Sequence, residues 1–265
     1  MDETGTRARQ ADAGDQLLHV VVDAETIQTT VALVDALVDE CHLYFDEDGI
    51  RIPAMDPATV AAVNLTLGRS AFEAYETEDA HIGVDLSRLG DIVGMADRGQ
   101  LLSFTLDSET RKLEIRIGEL TYALALLDPG TVRSPPEATD VEFEFTGSVV
   151  TESGELSRAV KAADMVSNHV TLGIDEERDS FYAEATGDTD DVSLAVPADE
   201  LVDFSPGDAH SLFSIDYLRA IDRAMPKTPE VNLELGIDIP LAVRYPFADG
   251  AGSVEYLVSP RIAAN

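Results

Sequence analysis

An internal repeat is the feature that most constrains what this chain can fold into. Val31, Leu37 and Phe45 align with Val160, Val166 and Ile174, and Leu86, Leu89 and Ile92 align with Ile215, Leu218 and Ile221, each pair 129 positions apart. Apolar periodicity alone aligns one pair of amphipathic helices easily. An offset that stays constant across two separate helical runs requires whole supersecondary units to recur in the same order. The chain therefore reads as a tandem duplication of one strand-and-helix unit, an α+β fold.

In the first copy, apolar spacing predicts a strand at 18–22, a helix at 24–40, and strands broken by the turn Asp46-Glu47-Asp48-Gly49. Runs at 63–67 and 71–76 follow, then a helix near 86–96 and strands at 101–106, 113–117 and 120–127. The second copy predicts a strand at 141–145, a helix at 156–166, strands at 170–174, 181–185 and 192–196, a helix at 215–225 and three closing strands. Between the copies, residues 128–140 hold three prolines and one glycine, which disfavour regular structure and predict an extended, exposed connector. Residues 1–16 are polar, lack a hydrophobic period and are expected to be a disordered extension. The expected division is thus 1–16, a first domain 17–127, the connector 128–140, and a second domain 141–265.

The charge balance limits partners and setting. Asp plus Glu number 51 against 18 Lys plus Arg, a net charge of −33, and the lysines are only Lys112, Lys161 and Lys227. Such self-repulsion destabilises a compact chain in dilute buffer, yet at 1 M salt the screening length is only about 3 Å. Acidic bias with few lysines reads as adaptation to a salt-saturated cytoplasm. No run reaches the roughly 18 apolar residues of a membrane span, and the first fifteen residues lack the apolar run of a secretory signal, so a cytoplasmic location is expected. The single cysteine, Cys41, continues the helical spacing of Val31, Val34, Leu37 and Val38, which predicts a buried structural thiol.

Phosphate-cradling GxxxxGK[ST] and GxGxxG motifs are absent, and the five histidines show no ligand spacing with Cys41. No cofactor and no metal are expected. The acidic turn with Asp188, Asp190 and Asp191 leaves open a metal-dependent hydrolase as a remote alternative.

The segment Ala54-Met55-Asp56-Pro57-Ala58-Thr59-Val60 resembles the loop after the second strand of archaeal and eukaryotic sliding clamps, the proliferating cell nuclear antigen family. The closing runs Asp238-Ile239-Pro240-Leu241-Ala242-Val243 and Val254-Glu255-Tyr256-Leu257-Val258-Ser259-Pro260-Arg261-Ile262 are similar to that family's last strands and C-terminal segment. Residues 160–167 and 212–218 are also clamp-like, so the resemblance runs from about Leu17 to Ile262. It implies a non-enzymatic DNA clamp fold, of the haloarchaeal type given the acidity. Two similar domains would make up each subunit of a closed homotrimer, with helices lining the hole around double-stranded DNA and antiparallel sheets outside. The implied partners are a clamp loader, DNA polymerase and other enzymes carrying a clamp-binding peptide.

Carried onto this sequence, the resemblance and the helical spacing place Arg158, Lys161, Arg219 and Arg223 toward DNA, Arg219 on spacing alone. It places Met55, Val60, Pro240, Leu257, Pro260 and Ile262 in a peptide groove, with Val132 of the connector as a lid contact. Subunit contact is expected between edge strands, through Leu120, Tyr122, Leu124 and Leu126 on one side and Val192 and Leu194 on the other. The first domain departs from the family pattern. Its first helix has no basic residue and offers Gln28, Thr29 and Asp35, while Asp91 and Gly94 stand at basic positions of the next helix, so DNA contact is expected to be weak there. That departure keeps open an assembly only with other subunits, or a protein scaffold.

Overall fold

The computed structural model describes residues 16–107, 112–133, 143–227 and 230–261. The first half runs β1 (Gln16–Asp23), α1 (Ala24–Asp35), β2 (Glu40–Asp46), β3 (Gly49–Met55), β4 (Ala61–Gly68), β5 (Phe72–Thr77), β6 (Ala80–Asp85), α2 (Leu86–Val93), β7 (Leu101–Asp107), β8 (Lys112–Ile117) and β9 (Leu120–Ala125). The second half runs β10 (Gly147–Glu152), α3 (Ser153–Asp164), β11 (His169–Asp175), β12 (Ser180–Thr186), β13 (Asp191–Pro197), β14 (Asp203–Ser205), β15 (Ala209–Ser214), α4 (Ile215–Ala224), β16 (Glu230–Leu235), β17 (Leu241–Phe247) and β18 (Gly252–Val258). Adding 129 to the bounds of α1, β2 and β6 gives the bounds of α3, β11 and β15, so the repeat seen in the sequence is a repeat of structure.

The helices begin where the sequence supplies caps. The Asp23 carboxylate accepts the Glu25 backbone N–H at 2.8 Å ahead of α1, and Asp85 accepts that of Arg88 at 2.9 Å ahead of α2. Ile27, Val31 and Val34 form the buried stripe of α1, as Leu86, Leu89 and Ile92 do in α2. Pro226 disfavours helical backbone at the residue before it, and Met225 turns to ψ 122°, ending α4.

Among the described residues the strands pair antiparallel in three sheets, ordered β5-β1-β7-β8-β9, β14-β10-β16-β17-β18-β4-β3-β2-β6 and β13-β12-β11-β15, with one isolated parallel bridge from His210 to Ile237. The nine-stranded sheet joins the halves through β18 and β4, with Val254 opposite Leu65 and Tyr256 opposite Val63. Tyr256 is fully buried and donates its hydroxyl to the Leu33 carbonyl at 2.7 Å, tying the last strand to the first helix. Side chains on the helix-facing side of the strands, such as Leu65, Leu172 and Phe213, are completely buried and share one continuous core with the helices. Among the described residues no helix is long and apolar enough to cross a membrane.

Four expectations shift. α1 stops at Asp35 rather than running to residue 40, and Cys41 is buried on β2, not on a helix. Burial and Glu40 push its thiol up to about 12, which suits an inert core group. The strand expected at 141–145 is displaced: 141–142 lie outside the described residues, 143–146 are irregular, and the strand is β10. Gln16, assigned to the extension, opens β1; residues 1–15 lie outside the described residues. The connector starts as a tight turn rather than an extended segment, because the Asp128 carbonyl accepts the Thr131 N–H at 2.8 Å and Leu127 bonds the Gly83 carbonyl at 2.9 Å. Residues 134–140 lie outside the described residues.

Candidate functional site

The run Asp56-Pro57-Ala58-Thr59-Val60 closes the β3–β4 hairpin, and the Asp56 carboxylate organises it. One oxygen accepts the N–H groups of Val60 and Ala61, both at 2.7 Å. The other accepts the Ala58 N–H at 2.9 Å and the Tyr217 hydroxyl at 2.8 Å. Burial pushes the Asp56 carboxyl up, but the donors from Ala61, Tyr217, Ala58 and Val60 together outweigh it and hold the pKa below the usual carboxylate range. Burial and the Asp56 bond push the Tyr217 phenol up to about 12. The same bonds hold Thr59 at φ 60°, a left-handed conformation that a β-branched residue rarely adopts. Tyr217 lies on α4, so one buried carboxylate links a loop of the first half to a helix of the second.

Beside this loop the expected groove residues converge. Met55 on β3 and Leu257 on β18 both stand opposite Ala62 on β4, and Leu257 also stands opposite Ala242 on β17. Met55, Ala62 and Leu257 are half-buried in a row on the sheet face away from the helices. Val60 accepts the Ser259 N–H at 2.8 Å, and the Arg261 N–H reaches the Leu212 carbonyl at 2.7 Å, so the C-terminal segment carrying Pro260 is fastened at both ends. Pro240 is half-buried immediately before β17. Ile262 lies outside the described residues. Val132 is buried at 5% exposure, so its side chain anchors the connector instead of offering a free contact. It packs over Gly83, where a Cβ would lie 3.0 Å from Val132 Cγ2. Arg133 then reaches across to the Pro57 carbonyl at 2.7 Å.

The four helices form the other candidate surface. They carry seven carboxylates against five cations, a net of −2 in a chain of −33, so this layer is close to neutral. The four expected basic residues are not equally available. Arg219 sits between Asp164 at 3.0 Å and Asp216 at 2.5 Å, which largely matches its charge. Arg158 pairs with Glu155 at 2.8 Å, and the Lys161 ammonium donates to the Ser157 hydroxyl at 2.7 Å. Arg223 is exposed and makes no ion pair among the described residues. The sequence reading passed over Arg88, an exposed cation on α2. Gln28 does not face outward as a substitute for lysine. Its side-chain amide donates to the Val93 and Ala96 carbonyls at 2.8 and 3.1 Å, capping α2, whose last turn has no basic residue.

The expected contact strands are both sheet edges: among the described residues β9 pairs only with β8 and β13 only with β12. Leu120 is 44% exposed, Tyr122, Val192 and Leu194 are half-buried, and Leu124 is buried in the core. Leu126 lies just past the end of β9. Among the described residues no group of three or more His, Cys, Asp or Glu could hold a metal ion.

The model for the proliferating cell nuclear antigen N-terminal domain matches residues 19–119. The chain is 49% identical over 246 residues to the DNA polymerase sliding clamp of Haloarcula marismortui, covering 93% of this chain and 99% of that one. It is likewise 49% identical over 249 residues to the DNA polymerase sliding clamp of Halobacterium salinarum, covering 94% and 100%. Among solved structures it superimposes on the A. fulgidus PCNA bound to the C-terminal region of FEN-1, with a TM-score of 0.87 and 31% identity over 94% of this chain and 100% of that one. The PCNA of Thermococcus kodakaraensis gives a TM-score of 0.83 at 27% identity over 92% and 100%. With about half of its residues shared with the Haloarcula and Halobacterium clamps across nearly their full length, the chain belongs to the DNA polymerase sliding clamp family.

Proposed function

We propose that the chain is one subunit of a homotrimeric ring that encircles double-stranded DNA and tethers DNA polymerase and other replication enzymes as a processivity factor, loaded by a clamp loader in a salt-rich cytoplasm. Catalysis is no part of this role. The observation that carries the reading is the β18–β4 pairing together with its images in the repeat. Inward-facing residues correspond along the two copies: Phe104 opposite Ile115 matches Leu233 opposite Val243. Ile115 opposite Tyr122 then matches Val243 opposite Tyr256, so Tyr122 is the counterpart of Tyr256 and Leu120 that of Val254. On the other side, Val63 and Leu65 correspond to Val192 and Leu194 through the offset of 129. Val254 opposite Leu65 and Tyr256 opposite Val63 within the chain therefore translate into Leu120 opposite Leu194 and Tyr122 opposite Val192 between subunits. Such pairing covers both edges with backbone hydrogen bonds, which are not weakened by ionic screening as exposed ion pairs are.

On this reading the row of Met55, Val60, Pro240, Leu257 and Pro260, walled by the connector at Val132, receives a partner's apolar peptide. The family also supplies the analogy of a bound C-terminal segment of FEN-1 on the A. fulgidus protein. Arg223 and Lys161, with Arg158 and the exposed Arg88 of α2, are the helix cations that could meet phosphate, and a closed ring needs little affinity because topology retains it. The domains are read as 17–127 and 141–265 around the connector. Light scattering in about 0.1 to 3 M KCl tests the ring, because that range spans weak to near-complete screening. A mass of three chains in high salt, with retention on circular but not linearised duplex, is expected. A monomer of 28.5 kDa at every salt concentration refutes self-assembly.

A further inference from the structure

In the proposed ring β9 meets β13 as β18 meets β4, so each contact across the seam inside the chain has a matching place between subunits. Inside the chain, the Tyr217 hydroxyl of α4 donates to Asp56 in the β3–β4 turn. The offset of 129 that matches α2 to α4 puts Arg88 where Tyr217 stands. The frame around the two residues is the same: the Leu127 N–H bonds the Gly83 carbonyl just before α2, as the Arg261 N–H bonds the Leu212 carbonyl just before α4. On the facing side, Met55 opposite Ala62 matches Thr186 opposite Asp191, so the turn 56–61 becomes the shorter turn 187–190. Both turns close alike, the Asp56 N–H on the Ala61 carbonyl and the Gly187 N–H on the Asp190 carbonyl, each at 2.9 Å. The counterpart of Asp56 is therefore Gly187, where a Cβ would lie 2.2 Å from the Val166 carbonyl oxygen, so no carboxylate fits. The acid stands further along, at Asp188, Asp190 and Asp191, all exposed.

We propose that Arg88 of each subunit forms an ion pair with the acidic turn of Asp188, Asp190 and Asp191 on the next subunit, at the place the Asp56–Tyr217 bond holds inside the chain. The inference rests on the ring reading. Arg88 is exposed and its side chain meets no carboxylate among the described residues, in a chain with 51 acidic residues against 18 Lys plus Arg. An arginine reaches about as far from its backbone as a tyrosine hydroxyl, and its planar fork can bind a carboxylate with two N–H groups. Arg88 then faces the neighbour rather than the hole, which takes it out of the set open to phosphate. The exchange makes the two seams unlike. Asp56 is buried and drawn on by four donors, a lock that salt screens little. An exposed pair weakens as salt rises. Between subunits, strand pairing therefore carries the closure in brine, and the ion pair adds a salt-dependent clasp along the line where the ring parts.

Light scattering on the full chain reads the clasp. Arg88→Glu breaks the pair and sets like charges together, while a glutamate in the first turn of α2 suits the helix dipole and leaves the fold intact. An exposed pair is worth up to about fivefold in an equilibrium constant, so over three seams the concentration at half-assembly should rise about tenfold in about 0.5 M KCl. The rise should shrink toward nothing at about 3 M. Adding Asp188→Arg and Asp190→Arg to Arg88→Glu restores the pair with its signs exchanged and should recover the native midpoint. The same reversal at Glu176 and Glu177, exposed on the β11–β12 turn, changes the net charge equally and should recover nothing. Arg88→Ala, at a protein concentration that keeps its rings closed, should stay on circular duplex as long as the native protein does. An unchanged midpoint in Arg88→Glu, no recovery by the exchange, or equal recovery by the Glu176 and Glu177 reversal would each overturn the proposal. Shortened retention of closed Arg88→Ala rings would put Arg88 against phosphate and overturn it too. A native chain that never assembles would sink the ring reading, and this inference with it, before any variant is compared.

Discussion

The buried Asp56–Tyr217 contact makes a sharp prediction, because two residues 161 positions apart should behave energetically as one unit. Tyr217→Phe deletes one hydrogen bond to a charged acceptor and should cost about 1.5–2 kcal/mol. Asp56→Asn keeps the shape and one acceptor oxygen but loses the charge that draws four donors together, and should cost about 2–4 kcal/mol. Once Asp56 is gone the Tyr217 hydroxyl has no carboxylate to meet, so the double variant should fall short of the sum by about 1.5 kcal/mol. Urea unfolding in high KCl measures this, at one fixed protein concentration because assembly makes apparent stability concentration-dependent. The acid side gives a second check. The folded pKa of Asp56 lies below its ordinary value, so its contribution is complete above that value and is lost as pH falls through the lowered one. The gap between native protein and Asp56→Asn should therefore stay constant from neutrality and close only in acid. For Tyr217, whose pKa is raised to about 12, stability should be whole below the ordinary tyrosine value and drain away as pH rises toward 12. Additivity within about 0.3 kcal/mol would show that the contact carries no energy and would refute the linkage of loop and helix.

Val192→Asp places a carboxylate opposite the partner subunit's apolar edge and should shift the light-scattering mass in high salt from three chains toward one, without loss of the chain's own circular-dichroism signal. Arg223→Ala should shorten retention on circular duplex more than Arg219→Ala does, because Arg219 is already matched by Asp164 and Asp216. Equal losses would place Arg219 in contact with DNA despite its carboxylates.

Much of the fold could be read in advance because it lives in periodicity. The offset of 129 located both helix pairs, and it carried more than was drawn from it. Applied to the predicted strand 18–22 it gives 147–151, the heart of β10, whereas local hydrophobicity pulled the strand to Val141 and Phe143. The end of α1 was misplaced because Leu37, Val38 and Cys41 keep a helical spacing across a turn and into a strand, and all are packed against or within the core. The groove residues were legible as a resemblance, and the register explains them: Met55 and Leu257 are neighbours only because β18 crosses to the first half. Nothing local marks Tyr217 as the partner of Asp56. That pairing exists only once strand register is known, and spacing along the chain contains no trace of it.

The same geometry answers the objection that so acidic a chain should avoid nucleic acid. Proteins that hold DNA by affinity need basic surface, since binding follows the number of phosphates neutralised and weakens steeply with salt. In a salt-rich cell that strategy loses most of its strength. A ring closed by strand pairing has another one: the sheet edges join through backbone groups and apolar side chains, whose attraction does not fade with ionic strength. The lining then has only to avoid repelling the duplex. A helix layer of net −2, with Arg219 tied up by carboxylates and Arg223 left exposed, meets that weaker requirement. The negative charge is carried almost entirely by the rest of the chain, where it favours hydration in brine and does not oppose sliding.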